Sequence, residues 1–171
     1  MGDIGNQVGL NQASLYHYFR NKEDIFLNLV FNRYSQFKEA ILAAINEATD
    51  LEEKLFLLFK QKFMFFEQDP LLQQVLDLNL KKISADVKER VQEIMEEEGT
   101  LLRSLIQTAI DNKEIHQLDI QATADIIIRL TEGIRIGRIN KFLLEQKKRN
   151  LDSMVSELQL ALKYLVNGLK K

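Results

Sequence analysis

Four polar side chains suited to hydrogen bonding with nucleic acid lie close together near the start of the chain. Gln12, Ser14, Tyr16 and His17 occur within six residues. If this stretch is helical, Tyr16 and His17 share one edge with Ala13, while Gln12 and Ser14 lie in the first turn. Side chains of these types can read base edges in the major groove of DNA or bind backbone phosphates.

Two short helices around a tight turn would position this group. Gly9 gives the backbone the freedom that a sharp turn needs, and Asn11 is a favourable N-cap for a helix that starts at Gln12. Asn21 can cap the helix that follows. This order is typical of a helix-turn-helix, whose second helix enters the major groove. The residues alone leave a plain helical hairpin open.

The run from Gly9 to Phe26, GLNQASLYHYFRNKEDIF, resembles the DNA-recognition segment of the tetracycline-repressor (TetR) family. That family's pattern is Gly, an apolar residue, Ser, two variable residues, Thr/Ser-Leu-Tyr, two aromatic or His positions, Phe and a Lys-Glu-Asp-Leu-like helix start. The match is nearly position for position. The resemblance implies that Gln12, Ala13 and His17 face base edges and that Ser14, Tyr16 and Lys22 hold phosphates. The alternative is that Tyr16 and Tyr18 are both core residues and that His17 is merely exposed.

The start of the chain bears on this resemblance. Residues 3–8 are expected to form the first helix of the helix-turn-helix, and the TetR family carries a further helix upstream of it. We expect that upstream helix to be missing here, so that the apolar edge containing Ile4, Val8 and Leu15 loses part of its cover. A helical ligand-binding or interaction module that does not bind DNA is therefore the alternative.

Composition bounds the class of protein. The chain has 171 residues, of which 46% are hydrophobic and 28% charged, and its net charge is −2. It has no cysteine, one proline and seven glycines, and no segment alternates like a confident strand, so we predict an all-α fold. Without a signal peptide or an uninterrupted apolar span, the expected location is the cytoplasm, with no membrane partner.

Apolar periodicity and capping residues predict the helices. The predicted helices are Lys22–Glu47, Leu51–Glu67, Leu71–Lys82, Ala85–Asn112, Ile120–Ile139 and Leu151–Leu169. Residues 140–150 are predicted as a polar connection, and Glu96-Glu97-Glu98 as a solvated helix face. Residues 1–38 form the predicted, N-terminally incomplete DNA-binding region with the start of the connecting helix. Residues 39–171 form the predicted effector-binding and dimerisation domain.

A stripe of aromatic residues on the second predicted helix favours an apolar effector pocket between the central helices. The predicted lining is Phe59, Phe63, Phe66, Met64, Leu76, Met95 and Leu102. Ligand pockets are mostly apolar, and soft Phe and Met side chains suit a lipid-like, aromatic or drug-like effector. The alternative is ordinary core, because aromatic residues at helical spacing usually pack inside.

The last two predicted helices offer more apolar surface than one small domain needs. The predicted dimer interface comprises Ile127, Leu130, Gly133, Ile134, Gly137, Leu158, Leu162 and Leu165. Gly133 and Gly137 weaken their helix by about 0.5–1 kcal/mol each, a cost that close approach of a partner helix would offset. Packing within a single chain is the alternative. The resemblance implies a two-fold homodimer built on a four-helix bundle.

Catalytic chemistry has little support in the sequence. His17 and His116 lie in separate segments without metal-ligand partners, and no phosphate loop or nucleophile elbow is present. We therefore expect no enzyme activity, no metal and no cofactor, although a small enzyme that uses the apolar cavity stays open. The predicted function is a TetR-like repressor that a small apolar effector releases from a palindromic operator.

Overall fold

A computed structural model describes residues 22–68, 85–145 and 151–170 of the chain. Within these ranges the regular secondary structure is α-helical throughout. The helices are α1 (Lys22–Glu47), α2 (Leu51–Gln68), α3 (Ala85–Asp111), α4 (Ile120–Glu145) and α5 (Leu151–Leu169). The all-α prediction is confirmed. In the described ranges, no helix is long and apolar enough to cross a membrane.

Most predicted helix ends agree with the structure to within a residue, but one prediction was wrong. Helix α4 continues through residues 140–145, which were assigned to a polar connection, and ends at Glu145. The segment contains Leu143, Leu144 and Glu145, all good helix formers, and no proline or glycine to stop the helix. The predicted helix-turn-helix and the predicted helix at residues 71–82 lie outside the described residues.

The chain divides into two compact units, Met1–Glu39 and Ala40–Lys171. In the described part of the first unit, Ile25 is buried, and the side-chain amide of Asn28 donates to the carbonyl of Asp24 at 2.7 Å. The rings of Tyr34 and Phe37 lie 6.1 Å apart between centroids. The division of function between residues 1–38 and 39–171 stays a prediction.

Helices α2, α3, α4 and α5 pack against one another in the second unit, and each contacts at least two of the others. Helix α2 packs most extensively against α5 and also contacts α3, while α4 contacts both α3 and α5. The largest fully buried side chains in the described ranges come from these helices and from the α3–α4 loop: Phe59, Phe63, Leu51, Leu55, Leu102, Ile106, Ile115, Ile127, Leu158, Leu162 and Val166. Phe59 and Phe63, which the sequence predicts to line an effector pocket, lie in this apolar core.

Side-chain caps fix the starts of α2 and α4. Asp50 accepts a hydrogen bond from the backbone N–H of Glu53 at 2.8 Å, and the Glu53 carboxylate accepts from the N–H of Thr49 at 2.9 Å. Asp119 accepts from the N–H of Ala122 at 2.9 Å. Asp50 and Asp119 each supply an acceptor to an N–H group that the helix itself leaves unpaired, which is the usual role of aspartate at an N-cap.

Helix α3 ends in a turn whose backbone enters the left-handed region at Lys113, with φ of 60°. The N–H of Lys113 donates to the carbonyl of Ile110, and the N–H of Glu114 donates to the carbonyl of Ala109, both at 2.9 Å. This hydrogen-bond pattern is the Schellman motif, in which glycine is the usual residue at the position of Lys113.

The loop that follows α3 joins the ends of two other helices. The carboxylate of Glu114 accepts a hydrogen bond from the backbone N–H of Leu51, at the start of α2, at 2.6 Å. The N–H of His116 donates to the carbonyl of Leu169, at the end of α5, at 2.9 Å. The loop therefore fixes the start of α2 and the end of α5 through groups that neither helix could satisfy alone.

Candidate functional site

Three residues predicted to line the effector pocket lie in the core. Phe59 and Phe63 on α2 and Leu102 on α3 are each 0% exposed. Helices α2 and α3 contact each other in this unit. A buried, wholly apolar lining of this kind suits the apolar part of a ligand, and it is also what an ordinary core presents.

The other predicted lining residues are placed differently. Met64 on α2 is half-buried, whereas Met95 on α3 is 63% exposed. Met95 therefore presents most of its side chain to solvent in the single chain, which does not fit a wall of a closed pocket. Leu76 lies outside the described residues, as does the side chain of Phe66.

A cluster of four charged residues connects α2, α3 and α4 beside the aromatic stripe; we call Lys62, Glu98, Glu132 and Arg135 the Lys62 cluster. The ammonium of Lys62 donates to both oxygens of Glu98, at 2.7 and 2.9 Å, and lies 3.1 Å from Oε1 of Glu132. The guanidinium of Arg135 donates to Oε2 of Glu132 at 2.7 and 2.8 Å. Two cations and two anions thus balance each other.

The cluster is largely withdrawn from water. Its side chains are between 13% and 27% exposed. Burial by itself raises the pKa of the Glu132 carboxyl, but the positive charges of Lys62 and Arg135 and their hydrogen bonds outweigh burial, so this pKa lies below its ordinary value. Glu132 is therefore held ionised, as a carboxylate paired with two cations must be.

The sequence interpretation missed this cluster and was wrong about Glu98. Glu98 belongs to the acidic run predicted as a solvated face, yet its side chain is 16% exposed and paired with Lys62. Glu96, in the same run, is 74% exposed and pairs with Arg103 at 2.7 Å. A signal was available, because Lys62 lies three residues after Phe59 and beside Phe63, and a cation within an apolar stripe requires a buried anion.

Five of the residues predicted to contact DNA lie outside the described residues: Gln12, Ala13, Ser14, Tyr16 and His17. Lys22 begins α1, but its side chain also lies outside the described part of the chain. Their roles stay predictions.

The predicted dimer surface is placed only partly on the outside of the chain. Ile127, Leu158 and Leu162 are 0% exposed within the single chain, so they pack its own core and leave no surface for a partner. Ile134 and Leu165 are half-buried, while Leu130 is 36% exposed. A Cβ added at Gly133 or Gly137 would meet nothing within 4 Å. Four apolar residues that the prediction omitted are exposed on α4 and α5: Ile126, Ile136, Leu160 and Tyr164.

Among the described residues, no group of three or more His, Asp or Glu side chains could hold a metal ion. The buried aromatic stripe and the adjoining Lys62 cluster hold α2, α3 and α4 together through both apolar and ionic contacts.

Comparison with protein families gives two matches that together span most of the chain. Residues 31–164 match the family described as YsiA-like protein, C-terminal region. Residues 1–29 match the family described as bacterial regulatory proteins, tetR family. Among known proteins, the chain is 26% identical over 167 residues to the fatty acid metabolism regulator protein of Bacillus subtilis (strain 168), covering 97% of this chain and 82% of the relative.

Solved structures show the same architecture. The transcriptional regulator FadR from Bacillus subtilis in complex with stearoyl-CoA is similar with a TM-score of 0.72 and 24% identity, over 93% of this chain and 84% of that one. The fatty acid degradation regulator FadR from Bacillus halodurans is similar with a TM-score of 0.72 and 25% identity, over 93% and 80%. A transcriptional regulator from Cytophaga hutchinsonii has a TM-score of 0.79 at 19% identity, over 100% and 88%.

Proposed function

The chain belongs to the TetR family of bacterial transcriptional regulators, and we propose that it is a repressor released from a palindromic operator by a long-chain acyl effector. The observation that carries the proposal is the pair of family matches, which cover residues 1–29 with the tetR family of bacterial regulatory proteins and residues 31–164 with the YsiA-like C-terminal region. The Bacillus subtilis relative is named for fatty acid metabolism. We propose no enzyme activity, since the relatives are regulators.

DNA recognition is assigned to the segment around Gln12. Gln12, Ala13 and His17 read base edges, and Ser14, Tyr16 and Lys22 bind phosphates. Two copies of this segment, one per subunit, meet half-sites about one helical turn apart, roughly 34–36 Å. The support is the residue pattern, because the side chains are of the types that make these contacts.

A duplex selected from a random library by the wild-type chain provides the test. We expect Tyr16→Ala and Lys22→Ala to weaken binding, and Lys22→Ala to reduce the slope of log affinity against log salt by about one. Lys88→Ala, at an exposed lysine of α3, is the matched control and should change neither quantity. Wild-type affinity and slope in both Tyr16→Ala and Lys22→Ala would argue against the assignment.

The effector is assigned to the aromatic stripe on α2. Phe59 and Phe63, with Leu102 on α3, provide an apolar lining, and the similar FadR structure from Bacillus subtilis contains stearoyl-CoA. Effector binding changes the separation of the two DNA-binding segments, and affinity falls because only one spacing fits the operator. The effector can shift this balance only by its differential affinity for the two states.

Compounds with acyl groups of different length distinguish recognition of the acyl tail from recognition of the coenzyme A head group. Stearoyl-CoA should release the protein from the selected duplex, as measured by fluorescence anisotropy, whereas acetyl-CoA, with the same head group, should not. Equal release by both compounds would assign recognition to the coenzyme A portion and contradict an apolar site. No release by stearoyl-CoA would contradict the effector assignment.

We also propose that α4 and α5 form the surface that binds the second subunit. The support is the combination of exposed Leu130 with the open space beside Gly133 and Gly137. Sedimentation velocity should show that Leu130→Glu dissociates the dimer. Met95→Glu, at an exposed apolar residue of α3, should leave the dimer intact. Dissociation in both variants, or in neither, would contradict this assignment.

The second candidate function is a helical ligand-binding module that does not bind DNA, and its support is the buried apolar lining formed by Phe59, Phe63 and Leu102. Absence of any selected duplex, together with saturable binding of stearoyl-CoA, would favour this function over a repressor.

A further inference from the structure

Lys62 belongs at once to the apolar stripe and to the ionic contacts of α2. On this helix it lies three residues after Phe59 and immediately before Phe63, both 0% exposed. Its ammonium lies 6.0 Å from the centroid of the Phe59 ring. The same ammonium pairs with Glu98 on α3 and with Glu132 on α4. One side chain therefore connects the proposed effector lining to two further helices.

The hydrogen bonds and ion pairs of the Lys62 cluster are short. Charge-assisted hydrogen bonds of 2.7–3.1 Å from Lys62 are strong and short-ranged, and Glu132 is held a second time by Arg135 from one turn along α4. In the described part of the chain, every buried side-chain nitrogen or oxygen has a hydrogen-bond partner. A shift of α2 alone would lengthen the contacts of Lys62 to both carboxylates.

We propose that Lys62 is a positioning residue that transmits effector binding at α2 to α4. This inference rests on the proposed function. Because Phe59 and Phe63 are close-packed, an apolar effector that enters beside them must displace α2. Separating the cluster would leave partly buried charges without partners, which is unfavourable, so α4 moves with α2. Helix α4 carries Leu130, Gly133 and Gly137, on the surface proposed to bind the second subunit.

The coupling ratio tests this inference. It is the dissociation constant of the full chain for its selected duplex at saturating stearoyl-CoA divided by that without stearoyl-CoA. We expect Lys62→Met, which keeps the length of the side chain but not its charge, to lose more than half of the wild-type coupling free energy. Direct titration with stearoyl-CoA establishes saturation for each variant. Lys62→Arg, which can still pair with both carboxylates, should retain the wild-type ratio.

Arg103→Met is the matched control. Arg103 on α3 binds Glu96 on its own helix and Gln121 on α4, but it does not connect α2 to either helix in these contacts. A purely structural role for ion pairs predicts lower melting temperatures in both variants with unchanged coupling ratios. We expect only Lys62→Met to change the ratio.

The outcomes separate the two proposals. If the wild-type chain binds DNA but stearoyl-CoA does not change its affinity, the effector assignment is overturned. If stearoyl-CoA weakens DNA binding by the wild type and by Lys62→Met in the same ratio, only the role of Lys62 is overturned. If circular dichroism shows that Lys62→Met does not fold, Glu132→Gln decides. This variant removes the charged partner on α4 and retains the Lys62–Glu98 pair, and we expect it to lower the ratio at least threefold, whereas an unchanged ratio contradicts the inference.

Discussion

The two halves of α2 are held in different ways. Its first half is fixed by the Asp50 cap, by the hydrogen bond from the Leu51 amide to Glu114, and by the fully buried side chains of Leu51 and Leu55. Its second half also carries the buried ring of Phe63, but there Lys62 connects it to α3 and α4 through charges. The first half rests mainly on backbone groups and apolar packing, with a long Glu52–Lys170 ion pair at 3.9 Å, whereas the second half rests partly on the shorter ion pairs of Lys62.

The two kinds of contact differ in how strictly they fix the position of a helix. Apolar packing and helix caps define a single position, because any shift opens space or leaves a backbone group unpaired. Ion pairs between flexible side chains tolerate small concerted movements if the partners follow. The first half of α2 is therefore expected to act as the fixed end, and the second half as the end that moves with its neighbours.

The largest effect on stability is expected from a cavity in the first half of α2. Leu55 is 0% exposed, and we expect Leu55→Ala to lower the free energy of unfolding by about 2–5 kcal/mol, through lost burial and a residual cavity. Leu57→Ala, at a half-buried leucine on the same helix, is the control and should cost clearly less. Urea denaturation measures both, and equal losses would contradict the anchored core.

The stability that the Lys62 cluster contributes at the second half of α2 should depend on pH, whereas the stability from the apolar packing of the first half should not. Glu132→Gln leaves two cations facing one carboxylate, and we expect a loss of about 1–2 kcal/mol at neutral pH for this partly exposed pair. Because the folded-state pKa of Glu132 lies below its ordinary value of 4.5, its contribution is present above that pH and is lost as the pH falls through the folded-state pKa.

Unfolding of wild type and Glu132→Gln between pH 3 and pH 7 measures this prediction. The two stability curves should converge as the pH falls, because the wild-type carboxyl becomes neutral like the amide. A difference that is constant over this range would mean that the charge of Glu132 contributes nothing.

The cap of α2 should have a smaller effect. We expect Asp50→Ala to lower the free energy of unfolding by about 1 kcal/mol, because the N–H of Glu53 loses its acceptor. Asp50→Asn keeps a side-chain oxygen at the cap and should retain most of the stability. If Asp50→Asn proves as destabilising as Asp50→Ala, the cap is not the reason for the loss.

The smallest expected effect is a gain in stability at the turn after α3. Lys113 has a φ of 60°, and Lys113→Gly should relieve this strain and stabilise the fold by about 0.5 kcal/mol, since part of the gain is offset by the entropy of glycine in the unfolded chain. Lys113→Ala keeps the Cβ and serves as the control. Thermal denaturation should show a higher melting temperature for Lys113→Gly and no increase for Lys113→Ala.

Local rules predict most of this fold. Capping residues and apolar spacing place the ends of α1, α2, α3 and α5 to within a residue, because these signals act over one or two turns. The end of α4 was misplaced because its basic, polar appearance was weighed above its helix-forming residues. Lys113 in a left-handed conformation has no sequence signal, since glycine or asparagine is the usual residue there.

The candidate site was less predictable because its features depend on which helices meet. Phe59 and Phe63 were identified by spacing on one helix. The pairing of Lys62 with Glu98 and Glu132 spans 36 and 70 positions of sequence, and no local rule connects them. Ile127 and Leu158 were assigned to a subunit surface because periodicity identifies an apolar face without saying what covers it.

The link between Glu114 and Leu51 has a consequence for hydrogen exchange. Amides in the first turn of a helix normally exchange quickly with solvent deuterium, because nothing in their own helix protects them. The Leu51 amide donates instead to a carboxylate 63 positions later in the chain. Exchange of the Leu51 amide therefore reports the opening of the α3–α4 loop rather than fraying of α2. The His116 amide in the same loop donates to the end of α5, so both amides should exchange more slowly than other exposed amides and at similar rates.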